Sequence, residues 1–490
     1  MRRLIERFGL RALDVQKGEV TALLWSFGYF FLVLTAYYIL RPIRDEMGVV
    51  GGVRNLAWLF TGTLIGTLLL HPVYTWLVSR LPRPRFIAFT YRFFIANLVG
   101  FYLLFQLADS MQSVWVGRVF FIWISIFNLF VVSVFWSFMT DIYHPEQSKR
   151  LFGVIAVGGT LGALLGSTIT TAMVDMLGPI NLLLVSALFL EFAARSAGIL
   201  GRYEPQLALV AEQLANTQQV QTEGDASQAP LAKSPADNVV TGRVATVTSE
   251  KSKSDAERSS VERSEAASHD VEVIGGRVID GVTHVLKSPY LLGIAGLMLF
   301  FTIASTFLYF QRVDIVSREF ANDAIGRVRL FGAIDVATNA LTLATQLFLT
   351  GRLLRWFGLG FGLAFLPVVS LIGFGVLGAA PVLAVVVVFE VCRRSGNFAV
   401  ARPSREVLYT VLSRSDKYKA KNFNDTFVYR LGDQVGSWSY TAMAWLGLTL
   451  SGLALSMVPL SLAWLLLALW LGRAYSRGQK TDLQHVNNDG

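Results

Sequence analysis

The chain is poor in cysteine, charge and histidine, and each shortage removes a class of protein. Its single cysteine, Cys392, leaves no intramolecular disulfide and no cysteine-clustered metal site. Only 16% of its residues are charged, where ordinary soluble domains carry about 25%. The five histidines, at 71, 144, 269, 284 and 485, fall in no metal-binding spacing, so neither a metal nor another cofactor is expected. No nucleophile elbow and no Cys–His pair supports an enzyme. The first twenty residues lack an apolar core followed by a small-residue cleavage site, so no cleavable signal peptide is expected.

What the chain does have is apolar runs, repeated through most of its length. Six spans come first, at about 20–40, 55–79, 86–107, 114–139, 151–174 and 178–200. Six more follow, at about 289–311, 329–350, 358–378, 382–401, 423–447 and 453–472. Each is long enough to cross a ~30 Å hydrocarbon core at about 1.5 Å per residue. Between the two sets the composition changes. The segment SEKSKSDAERSSVERSEAASHD is polar, and from Pro205 to His269 aromatics are almost absent, so no packed core is expected there.

The expected fold is an all-α polytopic membrane protein with twelve transmembrane helices in two six-helix, pseudo-symmetric halves. The expected division is an amphipathic N-terminus (1–19), a first half (20–203), a solvated linker (204–272), a second half (273–475) and a tail (476–490). A helical apolar face at Val278, Ile279, Val282, Val285 and Leu286 would lie on the membrane ahead of the seventh span.

The net charge of +9 fits membrane topology better than nucleic-acid binding. Basic residues gather in alternate short loops: Arg80, Arg83 and Arg85; Lys149 and Arg150; Arg352 and Arg355; and Arg402 to Lys421. By the positive-inside rule these loops, both termini and the linker are cytoplasmic. The ends of spans 1 and 7 break the rule at matching places, with Arg41, Arg44, Asp45 and Glu46 in one and Arg312, Asp314, Arg318 and Glu319 in the other.

Ionisable groups inside a membrane span are costly and mark a functional pathway by default. Four sets qualify. At the end of span 1, Arg41, Arg44 and Asp45 surround Pro42, which would kink or stop the helix. They face a cavity or snorkel as local ion pairs. In span 8, Asp335, Asn339, Thr342 and Gln346 follow a +4, +3, +4 stripe. The stripe lines a cavity or forms a hydrogen-bonded seam between helices, and Asp335 is also a candidate proton carrier. In span 10, Glu390, Arg393, Arg394 and Asn397 make an ion-pair network or an anion contact, with local neutralisation at i+3 or i+4 as the simpler reading. The segment 417–437 carries Lys421, Asp425, Arg430 and Asp433, and Arg430 at membrane depth needs an acid or a bound anion.

Gly158, Gly162 and Gly166 share one helical face, which reads as close packing between membrane helices. No Gly-Lys-Ser/Thr closes the stretch, so it is not a phosphate loop. Asp141, with Lys149 and Arg150, makes a charge cluster at the cytoplasmic end that would latch a closed state.

Three segments resemble the ADP/ATP carrier-type nucleotide translocases of bacteria and plastids, which are of the major facilitator type. LRPIRDEMGVV (40–50) is similar to the family's Leu-Arg-x-x-Lys-Asp-Thr, with Arg44 in place of Lys and Asp45 retained. VFWSFMTDIYHPEQSKRLFGVIAVGG (134–159) is similar to its Phe-Trp…Lys-Arg segment, with Asp141 at an acidic or amide position. KYKAKNFNDTFVYRLGD (417–433) is similar to its Lys-x-Lys-Gly-Lys…Asp…Gly-Lys segment, matching at Lys417, Lys419, Lys421 and Asp425. Asp433 stands where the family has Lys, and Glu46 where it has Thr, so the acid content near the site rises. The resemblance implies an inner-membrane antiporter working by alternating access on a small anionic solute, nucleotide-like or phosphorylated, with the lipid bilayer as its surroundings and no nucleic-acid partner. The alternatives are a proton-coupled facilitator of an unrelated solute and a membrane partner or lipid-handling protein that moves nothing.

Overall fold

The computed structural model describes residues 15–16, 18–80, 83–210, 288–412, 420–421 and 423–488. The expected N-terminal surface helix, most of the linker, the helix ahead of the seventh span and the basic loop at 413–419 lie outside the described residues.

Among the described residues all regular structure is helical. The first half holds α1 (Val20–Val50), α2 (Leu56–Arg80), α3 (Arg83–Leu107), α4 (Ser110–Ile142) and α5 (Pro145–Leu200). The second holds α6 (Pro289–Glu319), α7 (Ala324–Phe348), α8 (Thr350–Ala379), α9 (Leu383–Gly396), α10 (Arg402–Leu408), α11 (Tyr429–Trp445), α12 (Leu450–Leu455) and α13 (Met457–Asn488). A π turn, Asn397–Ala401, joins α9 to α10 as one crossing, and another, Asn424–Val428, leads into α11.

α5 makes two crossings. It breaks at Gly178, whose φ of 74° lies in the left-handed region that favours glycine, and Pro179 follows at once. With that break the count reaches the twelve crossings expected from the apolar runs. Two boundaries differ from expectation. α1 does not stop at Pro42 but continues to Val50. Membrane helices tolerate an internal proline where neighbouring helices satisfy the freed backbone groups. After the sixth span, helix persists over 204–210, inside the stretch assigned to the linker.

Eight stretches are long and apolar enough to cross a membrane on their own composition, and one of them, Arg150–Val210, covers two crossings. The crossings built on α7, on α9 with α10, and on α11 are not among them. A crossing that polar must face protein or water rather than lipid, and two of the three, those of α7 and α9, supply Arg327, Asp335, Glu390, Arg393 and Arg394 to the site described below.

The core of each half rests on the same contact. In the first, α5 lies against α1 so closely that a Cβ on Gly158, Gly162 or Gly166 would run into the carbonyl oxygens of Phe27, Phe31 and Thr35. Thr35 and Thr170 donate to Gly162 and Ile39 carbonyls across that contact, at 3.2 and 3.1 Å. In the second, α11 approaches α6 with Gly432 over Thr302 and Gly436 over Ile303 and Thr306. Small residues let backbones approach where no hydrophobic force separates helix from lipid.

Candidate functional site

Around the C-terminal end of α1 the halves meet through ion pairs. α1 runs past Pro42 and carries Arg41 into the second half and, about one turn on, the consecutive Arg44, Asp45 and Glu46, which point about 100° apart. Each of three positions finds its own partner there.

Glu46 accepts from Arg327 of α7 in a two-pronged pair, with Nε to Oε2 and Nη2 to Oε1 both at 2.7 Å. Arg327 also donates to the carbonyls of Phe320 and Ala321 at the α6–α7 turn, which fixes its direction. Asp45 sits between Arg44, at 2.8 Å, and Arg312 of α6, also at 2.8 Å. The Tyr309 hydroxyl donates to the same carboxylate at 3.2 Å. The Arg312 guanidinium lies over the rings of Tyr309 and Phe331, 4.9 Å from each centroid, and reaches Glu390 at 3.5 Å. Arg41 donates to Oδ1 of Asp335 at 2.5 Å, and Arg394 donates to the same oxygen at 2.7 Å.

The last arrangement is unlike the others. Two guanidiniums, one from each half, converge on one carboxylate oxygen. Their side chains stay 15% and 12% exposed, while Asp335 is 3% exposed. Arg394 has a second, longer contact with Glu390 at 3.7 Å. The cluster as a whole holds five guanidiniums (Arg41, Arg44, Arg312, Arg327, Arg394) and four carboxylates (Asp45, Glu46, Asp335, Glu390). Ions withdrawn from water need pairing, so the cluster carries one cation more than its carboxylates neutralise, a charge that an anion complements.

Arg393 is buried and turns away from Glu390. It donates to Ser305 Oγ at 2.7 Å, to the Phe301 carbonyl at 3.0 Å and to Ser370 Oγ at 3.4 Å. Among the described residues no carboxylate lies within ion-pair distance of it. The i+3 neutralisation read from spacing is therefore not made, and Glu390 serves Arg312 and Arg394 instead.

The remaining candidates lie apart. Asn339 meets Ser167 of α5 at 3.5 Å, so the stripe touches the other half there, while Thr342 donates to the Thr338 carbonyl of its own helix. Gln346 reaches the Phe398 carbonyl in the π turn at 3.3 Å. Arg430 pairs with Asp433 at 3.5 Å, and Thr306 donates to Asp433 at 3.4 Å. Lys421 pairs with Glu406 at 2.6 Å near the far end of the bundle. Asp425 and Asp141 are exposed and stand outside the cluster. Glu46, Arg312, Arg327 and Tyr309 belong to it and were not singled out as site residues from sequence. The matching breaks of the basic-loop pattern at the ends of spans 1 and 7 were the signal for the first two. Arg327 gave none, because it falls just ahead of its apolar run.

No family model and no curated protein matches the chain. Solved structures do. An auto-inhibited POT family peptide transporter superposes with a TM-score of 0.56 at 14% identity, covering 93% of this chain and 97% of that one. A POT family transporter in complex with a thioalcohol-conjugated peptide gives 0.56 at 11% identity, over 93% and 96%. Another, in complex with 5-aminolevulinic acid, gives 0.54 at 12% identity, over 92% and 95%. Likeness at this identity defines the fold. The chain is an all-α polytopic membrane protein of the major facilitator fold, with twelve crossings in two pseudo-symmetric halves.

Proposed function

We propose that the chain is a secondary transporter of the plasma membrane that exchanges anionic, nucleotide-like or phosphorylated solutes by alternating access. The observation that carries this reading is the convergence of Arg41 and Arg394, from opposite halves, on one oxygen of Asp335. A substrate anion that takes the place of Asp335 is held by both halves at once, which couples its binding to their rocking. Guanidinium forks suit phosphate and carboxylate. The resemblance of 40–50, 134–159 and 417–433 to nucleotide translocases supports the finer class. The same fold in peptide transporters supports transport itself.

In this reading the basic loops place both termini in the cytoplasm, so the α1–α2 turn faces outward. The Glu46–Arg327 and Asp45–Arg312 pairs then close the outer end. The domain division expected from the sequence is kept as part of this proposal, with the linker joining the two halves on the inner side. Uptake of labelled nucleotides, sugar phosphates and dicarboxylates into proteoliposomes preloaded with each is the test. Transport of neutral or cationic solutes alone, unaffected by Arg394→Gln, would overturn the reading.

A second reading rests on Asp433. It lies at the α6–α11 contact, where among the described residues it makes two long contacts, with Arg430 and Thr306. A carboxyl so loosely held inside a membrane is suited to carry a proton, and the chain would then couple solute to proton movement. Uptake driven by an imposed pH gradient with no internal solute, lost in Asp433→Asn, would establish it.

A further inference from the structure

A cavity of about 600 Å³ opens at the α1–α2 end of the molecule, lined by residues outside the Asp335 cluster. Its walls come from both halves. Arg54, in the short turn Val53–Asn55 after α1, faces Asp314 and Arg318 of α6, Tyr440 and Trp445 of α11, and Leu448 in the turn beyond. Arg318 is committed to Asp314, donating through Nε at 2.8 Å and Nη2 at 3.1 Å. Arg54 is exposed, and among the described residues it has no carboxylate within ion-pair distance. One of the two cations is thus unneutralised, and the cavity carries a net positive charge. The Tyr440 hydroxyl in its wall is buried and has no hydrogen-bond partner among the described residues.

The rim is apolar and open. Trp445, in the cavity wall, is 62% exposed, and Leu446, its chain neighbour outside the wall, 80%. Trp445 continues a row of indoles along the seam between the halves, with Trp438 6.4 Å from it and Trp58 4.9 Å from Trp438 in an edge-on contact. Indole side chains gather at the level of lipid headgroups. A guanidinium fork in a recess at that level matches the geometry of a headgroup phosphate. A soluble anion would use the cation but not the exposed indole and leucine rim.

We propose that this cavity binds the phosphate of an anionic phospholipid, with Arg54 as its principal contact and the acyl chains lying along Trp445 and Leu446. Because Arg54 belongs to the first half and the other walls to the second, the bound lipid ties the halves together at this end. The site is independent of whatever the central cluster transports.

The test uses the full chain purified in neutral detergent and melted in the presence of phosphatidylglycerol, phosphatidylcholine or soluble glycerol phosphate. A ligand that binds only the folded state raises the melting temperature in proportion to its saturation. Phosphatidylglycerol is expected to stabilise the wild type, with phosphatidylcholine and glycerol phosphate giving little. Arg54→Gln is expected to weaken the phosphatidylglycerol response at least ~10-fold in apparent affinity, a loss of about 1.4 kcal/mol. Arg54 is exposed, so the variant keeps its fold, which its unchanged melting without lipid will verify. Trp445→Ala should weaken the response in the same direction. No response in the wild type, an equal response in Arg54→Gln, or an equal effect of phosphatidylcholine would overturn the proposal. A full shift by glycerol phosphate alone would replace the lipid with a soluble anion and overturn it as well.

Discussion

Glu46 and Arg327 are joined by two parallel hydrogen bonds of 2.7 Å across the junction of the two halves, and both side chains are almost fully removed from solvent. Such a pair adds little net stability over an apolar match, but stripping one partner leaves an unpaired ion at a cost of about 3–5 kcal/mol. Opening this end of the molecule has to separate them. Glu46→Gln is therefore expected to lower the melting temperature and to raise the accessibility of the seam to water-soluble thiol reagents at a cysteine introduced at Tyr309. The double variant Glu46→Gln with Arg327→Gln should recover a large part of the stability while keeping the raised accessibility. Equal melting of the single and double variants would show that the pair acts as two independent charges rather than as a clasp.

Asp335 is the second case, and its prediction depends on the transport reading. Its Oδ1 holds both Arg41 and Arg394, so a substrate anion competes with it for the same donors. Replacing it with asparagine removes that competitor but keeps the size of the side chain. A hydrogen bond to a charged group contributes about 1.5–3 kcal/mol, so the apparent KM for the anion should fall by about tenfold or more. The maximal rate should fall too, because the return of the empty carrier loses its internal counter-charge. Measuring initial rates over a range of external anion separates the two effects. An unchanged or raised KM in a well-folded Asp335→Asn protein would remove Asp335 from the competition.

The apolar runs made the fold legible, because a membrane leaves so few solutions for the backbone. Span 5 and span 6 could be separated even though a single helix, Pro145–Leu200, covers both, since Gly178 and Pro179 punctuate it. The site was legible one residue at a time and not as pairs. Arg41, Asp335 and Arg394 stood out because each is an ion where ions are expensive. Their partnership joins residues almost 300 positions apart in one case, and no spacing rule reaches that far. Local rules even pointed the wrong way for Arg393, which i+3 spacing offers to Glu390 but which the structure turns towards Ser305 and Ser370. Arg327 was hidden because it sits at a helix start, where a charge needs no special explanation. Lys421, Asp425 and Asp141 drew attention through motif likeness, and the structure sets them at a distance from the cluster.

Adjacent arginines on α9 should behave differently. Arg393 is anchored by the Phe301 carbonyl and by Ser305 and Ser370, all neutral acceptors within its own half. Its guanidinium fork ties α6, α8 and α9 together, a geometry that a lysine ammonium on a single stem cannot reproduce. Arg393→Lys is expected to lower thermal stability while leaving the KM of the surviving protein close to the wild type. Arg394→Lys keeps a charge near Asp335 and should melt like the wild type, yet transport anions several-fold less well. Melting curves and uptake kinetics on both variants decide the matter, and the reverse pattern would exchange the two roles.

The glycine face of α5 gives a prediction free of any assumption about substrate. A methyl group at Gly162 would meet the Phe31 carbonyl and its neighbouring backbone, which cannot move aside as a flexible side chain would. α1 would have to shift outward, breaking the Thr35–Gly162 and Thr170–Ile39 hydrogen bonds that cross the same contact. Overpacking of this kind costs roughly 1–3 kcal/mol. At Gly153, earlier on the same helix, a new Cβ would have no heavy atom within 4 Å. There, alanine only improves helix propensity, by up to about 1 kcal/mol. Gly162→Ala should therefore melt several degrees below the wild type in detergent, and Gly153→Ala at or above it. Because α1 carries Arg41, Asp45 and Glu46 to the other half, a shift of α1 would also loosen those pairs. Gly162→Ala combined with Glu46→Gln should then cost less than the sum of the two single changes. Strict additivity would mean that the glycine contact and the ionic junction are mechanically separate.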